Sequence, residues 1–230
     1  MLPRTLEPEV MDTPEEAVDY DAMDHRAVNV CFVDDFLRFC GCAAVNGAAR
    51  RMLDVGTGTA QIPIELCGRS NDIQVVAVDL SEEMLKLGRE NVVGAGLDAQ
   101  IQLEHVDAKA LPYADAAFDA VISNSIVHHI PEPREAIAQM LRVLAPGGAL
   151  FVRDLMRPPN TEEVERLVTT YAGPETAHQR KMFRESLHAA LTVEEVAAIL
   201  QELGCEWAKV ESTSDRHWTF SGCRRSCACR

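Results

Sequence analysis

The chain has 230 residues, 47% hydrophobic and 25% charged, which excludes a wholly disordered polypeptide and suits one sizeable globular domain. Its 36 acidic residues outnumber 22 basic ones, a formal charge of −14, which argues against a protein that grips nucleic acid by its phosphates or docks on an anionic membrane. No run reaches the ~18 apolar residues of a membrane span. The acidic N-terminal stretch (Glu7, Glu9, Asp12, Glu15, Glu16, Asp19) lacks the basic start and apolar core of a signal peptide, so a cytoplasmic setting is expected. There the eight cysteines read as free thiols or ligands, not cross-links.

Residues 1–13 read as a polar, loosely held lead-in. Thr13-Pro14-Glu15-Glu16 is a helix start, with a Thr cap, Pro at the first position and acids in the first turn. The spacing of Val28, Phe32, Val33, Phe36 and Leu37 predicts a helix from Asp24 to Phe39, ended by Gly41. Arg51 to Val55 reads as a strand that stops at Gly56-Thr57-Gly58-Thr59-Ala60, with a helix following (Ile62, Ile64, Leu66). Ile73 to Val78 is almost continuously β-branched, as a strand buried on both faces should be, and it ends at Asp79. Ser81-Glu82-Glu83 opens a helix to about Val93, and Ile101 to Val106 and Phe118 to Ser123 read as further strands. A helix from Glu132 to Leu144 precedes a fifth strand, Ala149 to Arg153, entered through Pro146-Gly147-Gly148. Strands alternating with helices at this spacing mean a parallel sheet covered on both faces.

Beyond Asp154 the alternation stops. Arg157-Pro158-Pro159-Asn160 is a turn, and residues 161–190 read as two helices around Gly173-Pro174. Thr192-Val193-Glu194-Glu195 opens another helix, closed by Gly204. Glu206 to Glu211 and His217 to Gly222 read as two strands joined by Ser212-Thr213-Ser214-Asp215. The organisation expected is lid helices over 1–45 and one sheet domain over 46–230, with a helical insertion at about 157–190.

Glycines at the end of a first strand let the backbone turn sharply beside a ligand, and the next helix presents its N-terminus there. Asp79 closes the second strand 21 residues after Gly58, where an acid can accept from both ribose hydroxyls of a nucleoside. A dinucleotide would want a third glycine where Gln61 stands, so the pattern favours a ligand without a pyrophosphate.

Several motifs run in order: Leu53-Asp54-Val55-Gly56-Thr57-Gly58, Val76-Ala77-Val78-Asp79-Leu80-Ser81, His105-Val106-Asp107-Ala108, Leu111-Pro112 with Phe118-Asp119-Ala120-Val121, His128-His129-Ile130, and Leu141 to Gly148. In this ordered set, from about Arg50 to Asp154, the chain resembles the class I S-adenosylmethionine-dependent methyltransferases, in their small-molecule branch (types 11 and 25). The resemblance implies a Rossmann-like α/β fold: a seven-stranded, mostly parallel sheet with helices on both faces and the last strand antiparallel. It implies S-adenosylmethionine as cofactor, with S-adenosylhomocysteine as product. Gly56, Thr57 and Gly58 would line the methionine part, with Asp54 organising that loop. Asp79 would hold the ribose, Leu80 and Met84 would touch the adenine, and Asp107 with the Ala108 N–H would read its edge. Asn124 would sit beside the methionine moiety, and Tyr20 ahead of the lid helix. Ala60 departs from the glycine many relatives carry.

Methyl transfer from a sulfonium asks the protein mainly to position the acceptor, with a base only where the nucleophile must lose a proton. His128 and His129, after the fourth strand, are candidate bases, and either could instead only pack. Asp154 ends the fifth strand at the ligand edge, where it could orient an acceptor or pair with Arg153 or Arg157. The last hairpin should bring Asp215, Arg216 and His217 to the pocket mouth. Met23, His25 and Asn29 in the lid are candidate acceptor contacts, as are His178 and Arg180 of the insertion. That insertion reads equally well as a homodimer surface. Ser125 and His128 stand where ubiquinone-type O-methyltransferases carry glutamates that can hold a divalent ion, so no metal is expected.

The acceptor is expected to be a small molecule, reacting through oxygen, sulfur, nitrogen or carbon. A thiol or sulfide acceptor is an alternative, because a small apolar pocket without a base would serve it, and so is an arsenite-type acceptor, raised by Cys31, Cys40 and Cys42 in the lid and Cys223, Cys227 and Cys229 at the end. A nucleoside-binding sensor without catalysis is the alternative of another class. A short-chain oxidoreductase is excluded, because Tyr20, Tyr113 and Tyr171 lack a Lys four residues on. Ser123-Asn124-Ser125-Ile126 is not the Asn/Asp-Pro-Pro-aromatic motif of nucleic-acid amino methylases.

Overall fold

A computed structural model describes residues 1–8, 12–23, 25–42 and 50–224, apart from the side chains of Cys42 and Arg50. The first strand, β1 (Arg50–Val55), lies at the centre of a seven-stranded sheet, between β2 (Ile73–Asp79) and β4 (Phe118–Asn124). Outward from β2 comes β3 (Ile101–His105). Outward from β4 come β5 (Leu144–Leu155), then β7 (His217–Cys223) and β6 (Lys209–Ser212), giving the order β3-β2-β1-β4-β5-β7-β6. The first five strands are parallel, and β7 runs antiparallel to both neighbours. The expected Rossmann-like α/β fold is therefore the fold found.

The helices are α1 (Pro14–Asp21), α2 (Arg26–Cys42), α3 (Gln61–Cys67), α4 (Glu82–Gly94), α5 (Pro133–Val143), α6 (Thr161–Ala172), α7 (Ala177–Ala189) and α8 (Val193–Glu202). Their starts follow from capping chemistry. Thr13 with Glu16, Thr176 with Gln179, and Thr192 with Glu195 form reciprocal capping boxes that satisfy otherwise orphaned backbone N–H groups. Gly204, at φ +68°, reverses the chain after α8.

Alternation along each strand sorts its side chains onto two cores. Leu53, Val55, Val121, Leu150, Val152, Trp218 and Phe220 face the side carrying Ile137 and Met140 of α5 and Val196 and Leu200 of α8. Met52, Val75, Ala77, Ile122 and Phe151 face Phe32, Val33 and Phe36 of α2, Leu66 of α3 and Val92 of α4. Phe151 takes the edges of Phe32 and Phe36 at centroid distances of 5.2 and 5.9 Å, which docks α2 on β5. A third, smaller core (Leu155, Val164, Leu167, Val168, Leu187, Ala190) holds α6 and α7 together.

Four expectations are corrected. The lead-in is not loose over residues 1–8: Arg4 donates to the carbonyls of Ala189, Pro131, His128 and Ile130, the Thr5 N–H donates to His188 O, and Leu2 packs on the third core. Gly41 does not end its helix, because α2 continues to Cys42; the predicted first residue, Asp24, lies outside the described residues. The fifth strand begins at Leu144, not Ala149. Between Phe118 and Ala120 of β4, β5 inserts a bulge from Leu144 to Ala149, and a Cβ on Gly148 would meet Asp119 O at 2.8 Å. The sixth strand starts at Lys209, after a turn in which the Ala208 N–H bonds Cys205 O.

Candidate active site

The chain passes from β1 outward to β3, then returns to β4 on the other side of β1. Ligands of open α/β sheets bind outside the carboxyl ends of strands at such a reversal. Here that place is the turn 56–60. The N–H groups of Gly56 and Thr57 both donate to Val78 O, at 2.8 and 2.9 Å, folding the turn onto the end of β2. Gly56, Gly58 and Ala60 have φ of +75°, +56° and +64°. A Cβ on Gly56 would lie 1.9 Å from Ile126 Cγ2, so only glycine fits under that side chain. Ala60 adopts the left-handed conformation with its methyl buried.

Asp54, next to last in β1, and Asp79 and Asn124, which end the two neighbouring strands, share by alternation the α2 side of the sheet. Asp79 Oδ2 accepts from the Gly58 N–H at 2.7 Å and Oδ1 from the Ser81 N–H at 2.9 Å, which leaves lone pairs for a pair of hydroxyls. Burial raises its pKa. Asp54 is 2% exposed, and burial, with the Asp79 charge adding, pushes its carboxyl up to about 7. Asp54 Oδ2, Asn124 Oδ1 and the hydroxyls of Thr57 and Thr59 are buried without a hydrogen-bond partner. Unpaired acceptors at a switch point fit a ligand that brings an ammonium and hydroxyl donors. Tyr20 lies over the turn, its ring edge 3.7 Å from where a Gly58 Cβ would stand and its centroid 4.7 Å from the His25 ring. Burial, then Asp79, Asp21 and Asp54, push its phenol up to about 12.

Leu80 and Met84 follow β2, Met84 buried at the start of α4 under the Ser81 cap. Asp107 and Ala108 follow β3, where Asp107 Oδ1 accepts from the Lys109 N–H at 2.8 Å.

The other side of the same edge carries Asp154, which faces away from Asp54. It pairs with neither Arg153 nor Arg157: Arg153 bonds Asp35 and Thr219, and Arg157 bonds Glu195. Its partner is His128. Asp154 Oδ1 binds His128 Nδ1, and its oxygens also accept from the Val127, His128 and Leu155 N–H groups. The aspartate thus fixes the ring with Nε2 pointing elsewhere. Burial pulls the His128 pKa down, but the Asp154 and Glu7 carboxylates outweigh it and hold it above the ordinary imidazole value. Burial and the neighbouring His128 hold His129 down at about 3. Glu7 Oε1 lies 3.5 Å from His128 Nε2 and 3.2 Å from His129 Nδ1. No local pattern marks Glu7 in the sequence; Arg4 and Thr5 carry it in.

The expected acceptor contacts separate into different places. Met23, His25 and Asn29 line a cleft of about 250 Å³ with Thr59, Gln61 and Ile64, at the start of α3. His217 lies at the ligand edge, opposite Leu155 and bonded to Ser214, and burial holds its pKa at about 4. Asp215 there pairs with Arg166 and Tyr171. His178 is exposed on α7, and Arg180 donates to the Gly173 and Glu175 carbonyls at the end of α6. Cys31 is exposed and Cys40 buried, on opposite sides of α2, while Cys227 and Cys229 lie outside the described residues.

Residues 53–152 match a family model described as a methyltransferase domain. The chain is 32% identical over 168 residues to the 27-O-demethylrifamycin SV methyltransferase of Amycolatopsis mediterranei (strain S699), covering 73% of this chain and 58% of that protein. It is 37% identical over 113 residues to the ubiquinone/menaquinone biosynthesis C-methyltransferase UbiE of Dinoroseobacter shibae, covering 49% and 45%. The chain thus spans about half the length of the curated relatives it matches. A crystal structure of a SAM-dependent methyltransferase from Aquifex aeolicus superposes with a TM-score of 0.65 at 18% identity, over 92% of this chain and 98% of that one. Residues 53–152 thus match a methyltransferase domain, on a fold that the chain shares with a SAM-dependent methyltransferase.

Proposed function

We propose that the chain methylates an oxygen or carbon nucleophile of a small organic acceptor, using S-adenosylmethionine, with His128 taking the proton. The cofactor supplies a methyl group on a sulfonium, which an in-line nucleophile displaces. Asp79 would hold its ribose, Asp54 and Asn124 its amino-acid end, and Gly56, Thr57 and Gly58 its close backbone approach. Leu80, Met84, Asp107 and Ala108 would flank the adenine, and Tyr20 would cover the turn. The observation that carries the acceptor side is the buried His128–Asp154 pair, an arrangement for keeping an imidazole on one tautomer and stabilising its protonated form. His129, with its low pKa, is a neutral wall of that site. The relatives' O- and C-methyl transfers are the chemistry such a base serves. The opposite placement of Cys31 and Cys40 on α2 gives the metalloid reading no support.

Calorimetric titration with S-adenosylhomocysteine, with NADH as control, tests the cofactor. Micromolar binding of the first alone is the expected result. Transfer of label from S-adenosylmethionine to a panel of phenols, hydroxyquinones and sugar hydroxyls then tests the acceptor. Cofactor binding without turnover on any panel member would favour a sensor.

A further inference from the structure

His128 and His129 are consecutive, yet both rings aim a nitrogen at one carboxylate oxygen, Glu7 Oε1, which comes from the far end of the chain. The distances are 3.5 Å from His128 Nε2 and 3.2 Å from His129 Nδ1. All three ligand atoms lie within 4.8 Å of one another. Two of them, Glu7 Oε1 and His129 Nδ1, are buried without a hydrogen-bond partner although they face each other. Such a pair is costly to bury unpaired. We propose that Glu7, His128 and His129 form a binding site for a divalent ion of the zinc and cobalt class.

The spacing suits this. Ligand atoms about 2.0–2.1 Å from a tetrahedral ion lie about 3.3 Å apart, close to both distances here. Two imidazoles and one carboxylate make a common set for such an ion, and they leave a position open to a further ligand. Both rings are also fixed from behind. His128 gives Nδ1 to Asp154. The His129 ring bonds the backbone of Pro8. A carboxylate or carbonyl on the distal nitrogen is how protein metal sites orient histidine ligands. Arg4 and Thr5 pin the segment that delivers Glu7, so the third ligand is held in place rather than recruited. The ion and the proton would use the same lone pair of His128 Nε2, so metal occupancy and proton transfer exclude each other.

The test is a cobalt(II) titration of the chelator-treated full chain, followed through visible d–d bands, with zinc(II) competition. One cobalt per chain, with no thiolate-to-cobalt charge-transfer band, is the expected result. Glu7→Gln and His129→Asn should each weaken binding at least tenfold, and Asp154→Asn by about 10–100-fold. Circular dichroism and S-adenosylhomocysteine affinity of the Glu7→Gln protein verify its fold. No stoichiometric binding overturns the proposal. So does binding that survives both ligand substitutions or shows the thiolate band, which would move the ion to the cysteines. A chain that binds S-adenosylhomocysteine but not cobalt loses this site and keeps the methyltransferase reading; the reverse result does the opposite.

Discussion

The backbone N–H of Gly58 donates a 2.7 Å hydrogen bond to Asp79 Oδ2, so the glycine turn and the acid that ends the neighbouring strand are one unit. Residues 21 apart in sequence are thereby locked together, as the proposed ribose contact needs. Asp79→Ala should therefore weaken S-adenosylhomocysteine binding by about 10–100-fold, since a buried ligand hydroxyl loses a charged partner worth about 1.5–3 kcal/mol. Calorimetry reads this directly. Unchanged affinity would mean that Asp79 only braces the turn.

Glycine has two different uses in this chain. Gly56 and Gly96 both have positive φ, +75° and +69°, but a Cβ on Gly56 would collide with Ile126 whereas one on Gly96 meets nothing within 4 Å. Gly96→Ala should cost about 1 kcal/mol, the left-handed strain alone. Gly56→Ala adds overpacking and should cost about 2–4 kcal/mol in total. Urea unfolding distinguishes them, and an Ile126→Ala background should recover part of the Gly56 loss.

Asp54 makes cofactor affinity depend on pH. Its carboxyl titrates at about 7 in the free protein, and an ammonium beside it would favour the ionised form. Below that pH, binding must expel a proton, so affinity should fall by up to tenfold per pH unit on the acid side and level off above it. Calorimetry across about pH 5.5–8 gives the slope. Asp54→Asn should bind more weakly and lose the pH dependence.

His128 works as a base only when neutral, and its pKa stands above the ordinary imidazole value because Asp154 and Glu7 favour the charged form. The acid limb of kcat/KM should therefore lie above pH 6.5 and rise with pH. Asp154→Asn removes the main raising charge and should move that limb downward. His128→Asn should lower kcat by about 10²–10⁴-fold while S-adenosylhomocysteine still binds. A His128→Asn enzyme with full kcat would remove it from the chemistry.

Much of this protein was legible in its amino-acid order because the deciding interactions are local or periodic. The alternation of β-branched strands with capped helices determined the sheet. Gly56, Gly58 and Asp79 marked the turn and the strand end at the switch point because turn geometry and strand ends depend on neighbours in sequence. Thr13 and Thr192 marked the starts of their helices. Tertiary structure alone decided the partners of His128. Asp154 chose His128 over two adjacent arginines because strand alternation points Arg153 into the other core and Arg157 turns to Glu195. Glu7 reached the two histidines with Arg4 anchored on four distant carbonyls, three in the 128–131 loop and one at the end of α7. His128 and Asp154 are 26 residues apart and Arg4 and His128 are 124 apart, and such contacts leave no periodic trace in the chain, so neither partnership could be read before the fold brought the groups together.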